Sequence, residues 1–261
     1  QFGAELRFSL RGGQFPLLTT KQVYFKGVAE ELLWMLRGST NAKELQERGV
    51  RIWDEWSSRD YLDKMGFQDR PTGFIGPGYG FQWRHFGAAY PDMKGIHGRG
   101  VDQIQSIVRQ LKTNPTSRRM ILTAWNPVDT SQMSLPPCHA FAQWHVNPVT
   151  RELSCALYQR SADLALGVPF NIASYSLLTC MLAKLTGYQP GEFVHYMGNA
   201  HLYENHLPGV RQQLQRTPRS FPRLDVSYTP GSFQDPAHFQ FEDFHLSHYH
   251  PHPRILFPVT I

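Results

Sequence analysis

The chain has 261 residues, of which 41% are hydrophobic and 18% are charged, a composition typical of globular proteins. This length allows one large or two small domains, and an aromatic content of 13% predicts a sizeable core or large apolar pocket surfaces. No apolar run approaches the ~20 residues that a membrane helix needs, and no signal-peptide pattern opens the chain. A membrane protein is therefore not expected.

Cysteine usage and net charge indicate the compartment and the class of ligand. Three cysteines, Cys138, Cys155 and Cys180, are too few and too irregularly spaced for a disulfide framework or a zinc cage. A reducing compartment such as the cytoplasm is therefore expected. The formal net charge of +5 suggests acidic ligands, although the basic residues form no single tract and no RNA-recognition core. A phosphate on a small substrate needs only a few arginines.

The N-terminal region predicts a strand over 5–10, a helix over 24–37 and a short helix that begins near 39 and ends at 49. Glu30 and Glu31 both lie at the edges of the apolar stripe of the first helix. Periodicity does not choose between them, and two solvated carboxylates are the ordinary interpretation. Trp53 and Trp56 flank two further carboxylates and could stack a planar ligand, although anchoring a core is their more ordinary use.

Residues 57–80 are predicted to be rich in loops. The glycines around Tyr79 match no nucleotide-binding loop, and we interpret them as a turn that lets this tyrosine project. A surface loop to residue 100 and an amphipathic helix over 101–111 follow. Arg118 and Arg119 then stand at the head of an apolar strand, where neighbouring side chains point to opposite faces.

The stretch that ends at His139 is the strongest candidate for chemistry. Pro136 and Pro137 fix φ and remove two backbone donors, which predicts a stiff extended segment. Cys138 follows the two prolines, with alternating residues after it, so it is expected to open a strand. A rigidly held cysteine beside a histidine is either a candidate nucleophile or a small buried residue, and the stretch alone does not decide.

The second half of the chain predicts a strand over 153–163 whose polar end would be costly to bury without partners. Residues 167–170 are expected to break the chain, and Asn171 to cap a strongly apolar helix over 172–185. A strand over 192–197, a helix ending at 216 and a proline-rich region with short strands complete the sequence.

These residue types suit one kind of reaction. A thiol that adds to an electron-poor carbon needs thiolate character, which nearby guanidinium groups promote by lowering its pKa. The same arginines can bind a phosphate bidentately. An asparagine side chain offers one acceptor and two donors, the complement of the O4 and N3–H edge of uracil.

Several stretches closely resemble the thymidylate synthase family, in the expected order along the chain: 15–21, 31–34, 52–54, 81–87, 117–119, 135–139, 158–161, 167–175, 201–206 and 249–253. The resemblance implies one α/β domain of the α+β type over 1–261, built around a large mixed β-sheet with surrounding helices and paired sheet to sheet as a homodimer. It also implies reductive methylation of dUMP to dTMP by 5,10-methylenetetrahydrofolate, which yields dihydrofolate without a metal.

The resemblance further implies a role for each site residue. Cys138 would add to C6 of the pyrimidine, and Glu31 would organise proton transfers through water, which makes the choice that periodicity left open. The remaining contacts to dUMP and to the nucleophile would come from Tyr79, His139, Gln159, Arg160, Ser161, Asn171, His201 and Tyr203, with Arg118 and Arg119 reaching the phosphate from the partner subunit. The folate pocket would be formed by Ile52, Trp53, Asp163, Leu166, Gly167, Phe170 and Tyr203, and by Thr260 in a closing tail over 259–261.

Some positions depart from the family pattern. The family's phosphate-binding arginine loop would lie upstream of Gln1, so the expected phosphate site is one arginine short. Gly78 replaces a usual valine, Asn199 a usual aspartate, and Thr260 a small apolar residue. None of these positions is the nucleophile.

Three alternatives remain open from the sequence. In a hydroxymethylase of the same fold, water and not hydride completes the reaction; a cytosine-specific version should carry aspartate at position 171, but Asn171 does not exclude a uridylate enzyme. The net charge also allows a non-catalytic nucleic-acid-binding protein, and weak RNA binding is expected on that ground. A metal protein could use the C-terminal histidines, but their spacing matches no helix-borne ligand pair: His245, His248, His250 and His252.

Overall fold

The structure is a computed structural model, and it describes residues 1–92, 95–97 and 100–260. Its central feature is a mixed five-stranded sheet with the strand order β1-β7-β6-β5-β4. Two smaller sheets pair β2 with β3 and β8 with β9. The strands are β1 (Phe2–Ser9), β2 (Ala89–Asp92), β3 (Gly95–His97), β4 (Ile121–Thr123), β5 (His139–Asn147), β6 (Glu152–Asp163), β7 (Gln189–His201), β8 (Arg223–Val226) and β9 (Phe244–Ser247).

Helices pack on one face of this sheet, and buried residues of α1, α6 and α7 form one continuous core with it. Strands β6 and β7 are parallel, so the chain must cross over between them, and the longest helix makes that crossover. The helices are α1 (Phe25–Leu36), α2 (Lys43–Glu47), α3 (Asp54–Ser57), α4 (Arg59–Lys64), α5 (Tyr79–His85), α6 (Gln103–Thr113), α7 (Gly167–Thr186) and α8 (Leu207–Leu214). This arrangement confirms the predicted α+β class and the mixed sheet.

Helix α7 is apolar on nearly all of its surface because it lies inside the core. It meets the length and composition of a membrane-spanning helix, although no apolar segment of that length was expected from the sequence. In the fold, however, 83% of its most apolar window is buried inside the protein. Burial on all sides explains why this helix shows little amphipathic periodicity.

Several local predictions were wrong. Residues 167–170 do not break the chain: α7 begins at Gly167, and Pro169 lies in its first turn, where a missing N–H leaves no bond unmade. Asn171 therefore lies inside the helix and does not cap it. Helix α4 occupies part of the stretch predicted to be loops, and β4 is short, so Arg118 and Arg119 precede the strand.

The main sheet has one covered face and one open face. Helix α7 packs on the covered face, where Trp144 donates to the Thr179 hydroxyl at 3.2 Å. The register places Phe141 opposite Tyr158, and Tyr158 opposite Tyr196, on the other face. These three rings are each about 40% exposed (39%, 45% and 40%). We call the surface around them the open sheet face.

Candidate active site

Cys138 is held from both sides immediately before β5. Its backbone N–H donates to the hydroxyl of Tyr79 at 2.9 Å, and its carbonyl accepts from the backbone N–H of Arg160 at 2.9 Å. The Arg160 guanidinium donates to the carbonyls of Pro137 and Pro136, each at 2.8 Å. The two prolines lack N–H groups, so their carbonyls provide the bonding that holds this extended segment. A nucleophile fixed in this way loses little freedom on reaction.

The thiol of Cys138 is partly buried, and Nη2 of Arg160 lies 4.0 Å from its Sγ. Burial raises the pKa of the thiol, while Arg160, Ser161 and Tyr79 oppose that rise. The Arg160 guanidinium thus lowers the pKa of the thiol, as expected, but within the single chain desolvation of the thiolate outweighs this effect and the pKa is raised.

His139 and two tyrosines form a buried stack beside the nucleophile. The ring of Tyr79 lies on His139 with centroids 4.2 Å apart, and Nδ1 of His139 lies 2.9 Å from the Tyr175 hydroxyl. Burial lowers the pKa of His139 to about 3, with a smaller contribution from His195. The imidazole is therefore neutral near pH 7 and supports its neighbours by hydrogen bonding.

The turn before α5 places Tyr79 in this stack. Its φ is +24°, a rare value for a residue with a side chain, and the strain is maintained by the contacts of a fully packed ring. Gly78 itself is extended, and a Cβ added there would meet only Ile75 at an ordinary 3.7 Å. Nothing in the packing of this turn therefore requires glycine instead of valine at position 78.

The two carboxylates of α1 differ in their surroundings. Glu30 is buried and forms an ion pair with Arg48 at 3.1 Å. Glu31 accepts a hydrogen bond from Nε1 of Trp53 at 2.7 Å. The surrounding protein raises the pKa of Glu31 to about 7, against the opposing effect of that bond. Glu31 keeps some solvent access, but protein atoms enclose its carboxylate, so the interpretation of two solvated carboxylates was wrong.

Trp53 links Glu31 to the stack. It is buried against Trp34, Trp56 and Tyr79, with ring centroids 6.0, 5.8 and 5.8 Å away. Its main role in the structure is therefore core packing, with the indole N–H directed to Glu31. Ile52 precedes it and stays partly exposed.

The polar end of β6 is only partly satisfied by the protein. Gln159 is buried and lies between His195, whose Nε2 is 2.8 Å from the amide oxygen, and the carbonyl of Ser161. Burial lowers the pKa of His195 to about 4, so this imidazole is neutral. No described residue bonds to the side-chain amide of Asn171, which leaves its donors and acceptor available for a ligand.

A second group of predicted residues surrounds Asp163. Its Oδ1 accepts the backbone N–H groups of Ala165 at 2.9 Å and Leu166 at 3.2 Å. The register of β6 and β7 places His201 next to Asp163. The rings of His201 and Tyr203 meet edge to face, with centroids 5.1 Å apart. The first turn of α7 carries the remaining predicted folate contacts, Gly167 and Phe170.

The C-terminal tail approaches the same group. Thr260 forms a hydrogen bond with Asn205 at 3.1 Å, so its hydroxyl has a partner that a small apolar residue would lack. The side-chain oxygen Oδ1 of Asn199 lies 3.2 Å from Nδ1 of His201. Ile261, the last residue of the predicted closing tail, lies outside the described residues.

Arg118 and Arg119 are not brought to this site within one chain. Both are exposed, and the carbonyl of Arg118 accepts from Gln143, five residues along β5 from Cys138. At about 3.3 Å per residue that separation is roughly 17 Å. Neither guanidinium contacts another described residue by hydrogen bond or ion pair.

Sequence reasoning missed three residues that support the site. Tyr175 bonds to His139, His195 bonds to Gln159, and His206 lies between Asp163 and the tail. Tyr175 and His195 interrupt otherwise apolar buried elements, which was the available signal. Among the described residues, no group of three or more His, Cys, Asp or Glu side chains could hold a metal ion.

Comparison with known proteins identifies the family of the chain. The family model described as thymidylate synthase matches residues 1–261. The thymidylate synthase of Homo sapiens is 55% identical over 261 residues, which cover all of this chain and 82% of that protein. The thymidylate synthase of Saccharomyces cerevisiae is 51% identical, with 98% of this chain and 86% of that protein covered. A bifunctional dihydrofolate reductase-thymidylate synthase of Glycine max is 53% identical over 98% of this chain and 47% of its own length. With the match extending over every residue, the chain belongs to the thymidylate synthase family.

Proposed function

We propose that Cys138 is the nucleophile of this protein and that two copies of the chain build each active site. The protein catalyses the reductive methylation of dUMP to dTMP, with 5,10-methylenetetrahydrofolate as the donor of the carbon and the hydride and dihydrofolate as the second product. The observation that carries the assignment of the nucleophile is the way in which Tyr79 and Arg160 fix Cys138.

The chemistry starts at Sγ of Cys138, which adds to C6 of the pyrimidine and makes C5 nucleophilic towards the folate-borne methylene. The hydrogen at C5 then leaves as a proton, and the bond between the methylene and the folate nitrogen breaks. A hydride from the tetrahydrofolate completes the methyl group and expels Sγ from C6, and the folate becomes dihydrofolate. Glu31 suits the proton transfers because a pKa of about 7 lets it accept and release a proton near neutral pH. Tyr79 and His139 hold the nucleophile without exchanging protons at that pH.

The substrate is recognised by groups that the chain leaves available. Arg160 uses Nε and Nη2 for the two proline carbonyls, so its Nη1 donors remain for a phosphate, with Ser161 beside it. The amide of Asn171 complements the imide edge of uracil, since it can accept from N3–H and donate to O4. A cytosine base would present N3 and N4–H₂ in the opposite sense.

The open sheet face supports pairing with a second copy of the chain. Its aromatic centre of Phe141, Tyr158 and Tyr196 is large for a surface that meets only water. Arg7 and Glu5 lie on the same face at its edge, so two copies can pair opposite charges around an apolar centre. Pairing through this face also offers Arg118 and Arg119 a site that they do not reach in their own chain.

The test of this proposal is turnover with both products measured. Wild-type protein should release tritium from [5-³H]dUMP in the presence of methylenetetrahydrofolate and form dihydrofolate and dTMP in equal amounts. Cys138→Ser should lose nearly all turnover while it keeps most of its affinity for dUMP. Substantial dTMP formation by that variant would contradict the role of Cys138. Hydroxymethyl-dUMP as the main product would instead indicate the hydroxymethylase alternative.

A further inference from the structure

His206 is a fully buried histidine that connects the C-terminal tail with the site. Its Nε2 lies 2.7 Å from the carbonyl oxygen of Pro258, and a carbonyl only accepts, so Nε2 carries a hydrogen. Its Nδ1 has no hydrogen-bond partner among the described residues, and it lies 3.6 Å from Oδ1 of Asp163. The ring therefore stands directly between the tail and a carboxylate of the site.

The state of Nδ1 decides whether this connection attracts or repels. With Nε2 protonated, a neutral ring directs the Nδ1 lone pair at a carboxylate oxygen, and burial makes an unpaired polar atom costly. A second proton on the ring converts the same contact into a charge-assisted hydrogen bond. Oδ1 already accepts the N–H groups of Ala165 and Leu166, while no described residue donates to Oδ2. Oδ2 therefore remains for a ligand whichever state His206 adopts.

The other neighbours of the ring are aromatic. Tyr203 and Phe257 meet it edge to face, with centroids 5.4 and 5.2 Å away. The Lys21 ammonium lies 4.5 Å from the centroid of Phe257 and donates to the carbonyl of Ala165. In the part of the chain that the structure describes, these contacts bring three charged or titratable groups near His206: Asp163, Tyr203 and, beyond the Phe257 ring, Lys21. Asp163 is the only one of the three that faces a ring nitrogen of His206 in the described part of the chain.

We propose that His206 is a positioning residue that ties the C-terminal tail to Asp163, with Nε2–H donating to the Pro258 carbonyl and a protonated Nδ1 donating to Oδ1 of Asp163. The proposal rests on the proposed function, in which Asp163 and the tail both contact the folate. One ring then fixes the orientation of the carboxylate and the position of the tail together. Folate binding and tail closure are coupled through that ring.

Imidazole ¹⁵N NMR tests the proposal on unaltered protein. We expect the His206 resonances, identified by their loss in His206→Asn, to show a proton on Nε2 and, with dUMP and dihydrofolate bound near neutral pH, a proton on Nδ1 as well. A bare Nε2, or an Nδ1 that stays unprotonated in that complex, would overturn the proposal. Turnover of dUMP by wild-type protein tests the proposed function separately.

Two substitutions divide the connection into its halves. The amide nitrogen of His206→Asn can replace Nδ1 towards Asp163 but loses Pro258, whereas that of His206→Gln can reach Pro258 but loses Asp163. Each should raise KM for methylenetetrahydrofolate about tenfold and leave KM for dUMP within about twofold, since one charge-assisted bond is at stake. His245→Gln is the control, because this exposed histidine on β9 bonds to Ser227 outside the site, and both KM values should stay within about twofold of wild type. Equal loss of dUMP binding, or an unchanged KM for the folate, would contradict the coupling; if both variants fail to fold, the NMR result decides.

Discussion

At the scale of single residues, Glu30 and Glu31 are neighbours on α1 that lie in different surroundings, so their substitution should affect stability differently. The pKa of Glu31 is about 7 in the fold, above its ordinary value of 4.5. The folded state then binds more protons than the unfolded state between these values, so this group makes the protein less stable as pH rises from about 4.5 to about 7. Glu30 instead has Arg48 as a partner.

We therefore expect Glu31→Gln to unfold at a higher temperature than wild type near pH 8, with a free energy of unfolding higher by at most about 3 kcal/mol. Near pH 4.5 its stability should match that of wild type. Glu30→Gln should lose up to about 1 kcal/mol near pH 8, because it breaks a partly exposed ion pair. Thermal unfolding of the three proteins at both pH values measures this. Destabilisation by Glu31→Gln near pH 8 would contradict the desolvation argument. Turnover should still fall in Glu31→Gln, since it cannot transfer protons.

Asn171 should determine the choice of base. Asn171→Asp replaces two donors by a carboxylate that can accept from the exocyclic amine of cytosine. We expect preference to move from dUMP towards dCMP by about tenfold or more, as one matched polar contact is exchanged for another. Ratios of kcat/KM for the two nucleotides measure the change. Asn199→Asp, which adds a carboxylate beside His201 and away from the base contact, is the control and should leave the preference unchanged.

Much of the site could be predicted from the sequence at this scale, because Pro136, Pro137 and Cys138 form a local pattern with a definite conformation. The burial of Glu31 and its bond to Trp53 could not, since helical periodicity shows which face a residue occupies but not what packs against its edge. The contacts of His139 with Tyr175 and of Gln159 with His195 join residues 36 positions apart. No local pattern contains such pairs.

At the scale of secondary-structure elements, α5 joins the nucleophile to a partly buried group of ion pairs. Its first residue, Tyr79, accepts from the backbone of Cys138. Near its end, Arg84 donates to both oxygens of Asp235 at 2.9 and 2.6 Å and to the carbonyl of Leu36 at 3.0 Å. Arg84 also contacts Asp102, the N-cap of α6, at 2.9 Å. The position of Tyr79 therefore depends on contacts made at the other end of the helix.

Arg84→Met should destabilise the protein by about 3 kcal/mol, because it leaves two partly buried carboxylates without their cation. It should also lower kcat more than it raises KM for dUMP, since Tyr79 acts on the nucleophile. Chemical denaturation and steady-state kinetics measure the two effects. Lys184→Met is the matched control: its ion pair with Asp225 is exposed and lies away from the open sheet face, so a loss below about 1 kcal/mol is expected. Equal losses of unfolding free energy in the two variants would contradict the larger contribution of the partly buried ion pairs of Arg84.

Prediction of elements succeeded where an apolar period or a strong end signal was present. Helices α1 and α6 lie within two residues of their predicted ends, and β6 within one. It failed at the start of α7, where Gly167 and Pro169 were interpreted as breakers although proline fits a first helical turn. It also failed for α4, which is one and a half turns long and too short to show a period.

At the scale of the whole molecule, the proposed dimer predicts complementation between inactive variants. A chain with Arg118→Ala and Arg119→Ala keeps its own Cys138, whereas Cys138→Ser keeps both arginines. In a hybrid of the two, one site combines an intact nucleophile with intact arginines. After random mixing in equal amounts, half of the dimers are hybrids and each has one complete site, so about one quarter of wild-type activity should return.

Unfolding and refolding the two variants together, followed by activity assays, tests this prediction. Each variant refolded alone is the control and should stay inactive. Absence of recovery in hybrids that are isolated and confirmed by mass would contradict action of the arginines across the interface. Residence in the cytoplasm and weak RNA binding remain predictions from composition; RNA binding should weaken steeply as salt rises, whereas dUMP turnover should not.

The nature of α7 has a consequence for how this protein ages and is handled. A helix that is apolar on nearly all sides offers little surface to water, so partial opening exposes a long apolar segment that can associate with other chains. Loss of activity on heating should then be governed by the rate of first opening and completed by aggregation. Substitutions along α7 would therefore change the rate of irreversible inactivation more than the equilibrium free energy of unfolding.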